Sequence, residues 1–343
     1  MWLPQNWSDV GDFFTSREFL VWALGVFVVL GSFLGFVAAG WPGSVNNCIT
    51  STGVSLAPPP AKDTPKERQR YLDTQAKKLA ANTCYCEAFN LEDVVNGAPG
   101  VRQPTNTWSN LYAVVSSLVV AWLVFLDRKY SAGDSTNPIR SHVWIPLAYI
   151  FVLQFLGLGS MWLHGALKEW GGFTDDFSMY LFVLFLVFYT GYRLGVAYSL
   201  KWSIWLWLGY LPIVILVSAV GELISQRNPT KPVSEVIIII LGSIYGVLQG
   251  WYWVWYWWKT SEWTWQTFFL WIRQTFFLWL GALASFGLAF LFWTLSKTGK
   301  PWCWPNSWFQ LHGLGWHLMA GVMALLIYLF WRTEGARPQA GSA

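Results

Sequence analysis

Along this chain, apolar runs of roughly helical-span length alternate with short polar connections. Eight runs contain no Asp, Glu, Lys or Arg: Phe19–Gly40, Trp108–Leu126, Val143–Leu163, Phe177–Tyr192, Trp202–Gly221, Val236–Trp258, Gln274–Ser296 and Trp308–Trp331. Most approach the ~20 residues a helix needs to cross ~30 Å of hydrocarbon. Backbone groups in lipid must be paired within their own segment, so each run predicts a helix. The pattern predicts an all-α, polytopic membrane helical bundle. Phe177–Tyr192 is short for a span unless Asp175 and Asp176 lie inside its helix. The first run ends in small residues, as a signal peptide would. Its length, and a single Arg17 among Asp9, Asp12 and Glu18, favour a retained helix instead.

Composition agrees with the pattern. The 343 residues are 55% hydrophobic and 12% charged, with mean hydropathy +0.38. A soluble domain carries about 25% charged residues, so the bilayer is the expected partner and nucleic acid is not. "WYWVWYWWKTSEWTW" crosses a span end, where amphipathic rings anchor at headgroups, and needs no chemistry. "QTFFLWIR" followed by "QTFFLWLG" is a tandem duplication too short to imply a repeat fold.

Numbering the connections sorts the charges. The face holding both termini collects Arg17, Arg128, Lys129, Arg140, Arg193, Lys201, Lys259, Arg273, Arg332 and Arg337. The short loops of the other face hold Lys168, Arg227, Lys231, Lys297 and Lys300. The excess places the termini in the cytosol, because basic short loops stay inside. Cys48, Cys84, Cys86 and Cys303 all fall on the opposite face, as an oxidising lumen or exterior would favour. A disulfide from Cys303 to one of the others is expected, with the pairing open. The long polar segment 41–107 lies there too, and its "YLDTQAKKLAANTC" suits a short amphipathic helix.

The four histidines separate by depth. His142 opens the third span on the terminal face, 22 positions from His164. At ~1.5 Å per residue that is a full membrane thickness, so His142 reads as interfacial. His164 closes the third span, and His312 and His317 open the last, all on the other face. Asp175 and Asp176 open the fourth span at that level, and Ser160 shares a helical face with His164. Three histidines, a carboxylate and a hydroxyl at one depth suggest a catalytic zinc, which takes three protein ligands and keeps one position open. Ionisable groups at membrane depth are functional by default.

"SMWLHGALKEWGGFTDDFSMY" resembles the alkaline ceramidase signature, Ser-x3-His with an Asp eleven residues on. "NTWSNLY" resembles the opening of that family's first core helix, and "QLHGLGWH" its closing His-x3-His helix. The family is part of a wider group of seven-helix zinc-dependent membrane hydrolases, with the adiponectin-type receptors and GPI-lipid-remodelling proteins. The resemblance implies a seven-helix zinc hydrolase core (84–333), to which this chain adds an N-terminal transmembrane helix (1–41), an extracytoplasmic elaboration (42–83) and a polar tail (334–343). It implies Zn2+ on His164, His312 and His317, Asp175 as general base for the attacking water, and Ser160 holding the water or the developing oxyanion. The substrate would be a ceramide-like lipid, cleaved at its amide to a sphingoid base and a fatty acid. The setting would be an endoplasmic reticulum or Golgi membrane, with the zinc near the lumenal face. Phytoceramide- or GPI-type lipids, or a non-catalytic lipid receptor on the same fold, are the alternatives.

The chain departs from that pattern in places. Glu87 is kept, but Cys84, Tyr85 and Gln103 stand where calcium ligands are expected, which argues against Ca2+. His312 and His317 are five apart. On a regular helix that turns their rings ~140° from each other. Either a π-type turn through Gly313–Gly315, or a helix starting after Gly315, would bring them together, with glycine free to leave the α region. On this reading Ser160 and His164 point inward from one helix and Asp175 caps the next.

Overall fold

A computed structural model describes residues 7–46, 49, 64, 66, 67, 70, 74, 86–130, 137–227, 233–259 and 264–333. Eight of its helices are long and apolar enough to cross a membrane. We label them α1 (Arg17–Ala39), α2 (Tyr112–Tyr130), α3 (Trp144–Ala166), α4 (Glu169–Ala197), α5 (Leu206–Arg227), α6 (Val233–Lys259), α7 (Phe277–Leu295) and α8 (Leu318–Thr333). A short helix, Pro104–Ser109, leads into α2, and π-helical turns, Ile272–Phe276 and Leu311–His317, lead into α7 and α8. The chain is an integral membrane all-α bundle. Of the amphipathic helix expected within 71–84 only Thr74 is described, and the cysteines Cys48 and Cys84, Tyr85 and the tail 334–343 lie outside the described residues.

Packing is uneven. α3 packs against α2 and α4, α8 closes against α2 and α7, and α4 supports α5 and α6. The core of Tyr149, Phe185, Tyr189, Tyr328 and Trp331 fills the end that holds the termini. There Asp127 takes two 2.7 Å bonds from Arg332, with Arg140 at 3.3 Å, tying α2 to α8. A buried carboxylate needs such partners, and a bidentate guanidinium is the strong form. His142 sits at this end beside Tyr192, as an interfacial residue should.

The added helix α1 buttresses the bundle. Val29, Phe33 and Trp41 pack on Leu158, Met161 and Ala166 of α3. Trp22 donates its indole N–H to Ser117 at 3.0 Å, and Gln154 donates to the Trp22 carbonyl at 2.9 Å. These bonds pair polar groups at membrane depth, where an unpaired one costs several kcal/mol.

α4 corrects the expected span. It starts at Glu169, with Lys168 at its N-cap, so Asp175 lies about two turns inside it. Asp175 is therefore not a cap. Gly171 and Gly172, inside α4, are close-approach positions: a Cβ on Gly171 would meet the Trp162 carbonyl at 2.9 Å. The reversal is made earlier by Leu167, in the left-handed region at φ 52°.

Candidate metal centre

His164, His312 and His317 are all buried, and their ligand atoms lie within 4.8 Å of one another. Outer contacts orient His164 and His317. His164 comes from the last turn of α3, where its Nδ1 lies 2.8 Å from Gln103 Oε1. Gln103 in turn donates to the Glu87 carbonyl at 3.0 Å, and its backbone N–H binds the His164 carbonyl at 3.1 Å. His317 Nδ1 lies 2.7 Å from Ser109 Oγ, and its ring stacks 5.9 Å from Tyr112. Both contacts occupy Nδ1 and leave Nε2 for a ligand bond, the usual way a second layer orients metal-binding histidines.

The donor set suits a metal. His164 Nε2 and His312 Nε2 stand 3.3 Å apart. Two nitrogens ~2.0–2.1 Å from a tetrahedral centre would be separated by roughly 3.3–3.4 Å. His317 Nε2 is buried without a hydrogen-bond partner. An orphaned ring nitrogen facing two others is what a metal would satisfy.

The five-residue spacing is resolved by the π-turn Leu311–His317, the first of the two expected conformations. An i→i+5 turn brings residues five apart onto one side. Glycine serves here for a reason other than the expected one. Neither Gly313 nor Gly315 has a positive φ. A Cβ on Gly313 would meet Ser109 Oγ at 2.9 Å, and one on Gly315 the Phe292 ring at 2.8 Å. The glycines let the turn lie against its neighbours.

Ser160 lies one turn before His164 on α3, and α4 brings Asp175 within reach of Ser160. Gly159 allows α3 and α4 to touch, since a Cβ there would meet the Thr174 carbonyl at 2.6 Å. Ser160 and Asp175 are close enough to interact electrostatically, and Tyr112, stacked on His317, lies within electrostatic reach of Asp175. Asp176 turns the other way and accepts from Ser234 of α6 at 2.6 Å.

Loops fasten the face that carries this group. Cys86 and Cys303 form a disulfide with Cα atoms 5.3 Å apart, bearing out the expected bond from Cys303. Glu87 accepts the Thr105 and Asn106 N–H groups, both at 2.8 Å, and so caps the helix that carries Ser109. Burial holds its carboxyl above the usual range even so. Sequence reading gave Ser109 and Tyr112 no role, although both lie in the quoted "NTWSNLY". It placed Gln103 only as a calcium position. Comparison with protein-family models finds no match to this chain, and comparison with the curated proteins finds none either.

Proposed function

We propose that this protein is a zinc-dependent membrane hydrolase that cleaves the amide of a ceramide to a sphingoid base and a free fatty acid. The observation that carries the reading is the buried His164, His312 and His317 group, with Ser160 one turn from His164 and Asp175 within reach of Ser160. A zinc ion held there would supply Lewis acidity toward a carbonyl and toward water. Asp175 takes a proton from the attacking water as the new C–O bond forms. It then returns that proton to the amine nitrogen as the C–N bond breaks. Ser160, one helical turn before His164, would help hold the attacking water or the developing oxyanion.

An apolar substrate also needs a way in from the bilayer. At the terminal end, α6 and α7 meet through Trp253, Trp271 and Trp279. Toward the histidine end, Gly242, Gly246 and Gly250 have open space where a side chain would be. Gly246 and Gly250 share the face of α6 that carries Trp253, by their helical spacing. An acyl or sphingoid chain would pass there. The receptor alternative rested on the five-residue histidine spacing, and the π-turn removes that support.

The orientation proposed with this reading puts the histidines near the lumenal face and the termini in the cytosol of an endoplasmic reticulum or Golgi membrane. The disulfide on the histidine face and the basic residues on the other support it. Incubating the purified protein with ceramides, phytoceramides and GPI lipids tests the substrate. Fatty-acid release from ceramide is expected, and release only from another lipid would move the assignment.

A further inference from the structure

Four residues past His164, Lys168 joins α3 to α4 with its side chain almost wholly buried, 1% exposed. Its ammonium has no hydrogen bond or ion pair with a described residue. Arg102, 7% exposed, is close enough to repel it. Arg102 donates to the Ala98 carbonyl, and its one carboxylate neighbour is Asp93 at 3.6 Å, whose side chain is 45% exposed. Among the described residues, these two neighbouring buried cations have a single half-exposed acid beside them, and an uncompensated buried charge is costly.

Capping does not account for Lys168. The carbonyls of Leu163, His164, Gly165 and Leu167 already accept from the N–H groups of Leu167, Gln103, Arg102 and Asn46. Burial, and for Lys168 the neighbouring guanidinium, hold both groups below their usual pKa ranges. Arg102 also lines a cavity of ≈ 360 Å³ with Ala88, Phe89, Asn90, Asp93 and Pro104. Among the described residues the missing element is negative charge; the cavity gives room on the Arg102 side, and Lys168 is not among its lining residues.

We propose that Arg102 and Lys168 form an anion site that takes a phosphate group, either free phosphate or the headgroup of an anionic phospholipid. Guanidinium and ammonium together suit a phosphate, one as a fork and one as a point charge. The backbone of Arg102 and Gln103 holds the last turn of α3, and Gln103 holds His164. A bound phosphate would therefore steady the strand that orients the metal ligand. The site stands independently of the hydrolase reading.

The test uses full-length protein in nanodiscs of phosphatidylcholine. Thermal stability is followed with added inorganic phosphate against chloride at equal ionic strength, and with phosphatidylglycerol added to the discs. One of these additions is expected to raise Tm. Half-saturation should shift upward roughly tenfold in Lys168→Met, stay near wild type in Lys168→Arg, and shift downward in Asp93→Asn. A response to phosphate alone assigns a soluble anion, and one to phosphatidylglycerol alone a lipid headgroup. Equal responses in wild type and Lys168→Met, or no response in wild type, overturn the site. If Lys168→Met does not fold, acylation of Lys168 in the wild-type protein replaces it. The same addition should slow that modification, and an unchanged rate overturns the proposal. Neither zinc content nor ceramide cleavage enters these readouts, so failure here is separable from failure there.

Discussion

Gln103 and Ser109 fix the ring orientations of His164 and His317, at 2.8 and 2.7 Å. Removing such an outer contact typically weakens metal binding about 10–100-fold. Gln103→Leu and Ser109→Ala should therefore lose zinc at chelator concentrations the wild type withstands, with helical content unchanged by circular dichroism. Asp175→Asn should keep its zinc but lose about 10²–10⁴ of the hydrolysis rate, the usual worth of a positioned base. Glu87 gives a pH prediction. Its folded pKa is raised, so between the unfolded value and that raised value the native state binds more protons and stability falls as pH rises. Glu87→Gln, measured by thermal melts across acidic pH, should flatten that part of the profile. The three clustered histidines were legible because histidine is scarce here and three of four fall at one depth. Gln103 and Ser109 were not, because neutral side chains carry no depth signal and their roles depend on loop paths.

At the scale of elements, the sequence showed where helices cross but not how they begin. Charge-free runs located all eight spans, yet α4 extends back through Asp175 to Glu169 because its paired glycines serve contact with α3 and Asn46. The π-turn was legible only as one of two ways to reconcile His312 with His317, since five-residue spacing alone does not choose between them. Its fit is testable. Gly315→Ala should loosen zinc by driving a methyl group into the Phe292 ring, 2.8 Å away. Gly315→Ala with Phe292→Ala should recover zinc affinity relative to Gly315→Ala. If the double variant is as poor as the single, the close approach is not what the glycine provides. The disulfide fastens the loops above this turn, and Cys303→Ser should lower stability by about 2–4 kcal/mol.

Across the whole molecule, one side is a dense core and the other is loosely packed. In α3 and α4, 72% and 67% of the spanning window is buried, against 22%, 11% and 22% in α5, α6 and α7. That contrast puts His164 in the densely buried half and leaves the open stretch of α6 toward lipid. Gly246→Phe should fill that space and lower turnover of long-chain ceramide more than of a short-chain analogue. Equal effects on both would mean the substrate enters elsewhere. The most direct measurement of the central claim is metal content and fatty-acid release on the same purified sample, for wild type and His164→Ala. The account predicts about one zinc per wild-type chain with ceramide cleavage, and neither in His164→Ala. Stoichiometric zinc in the wild type with no fatty acid released from ceramide, phytoceramide or GPI lipid would contradict it.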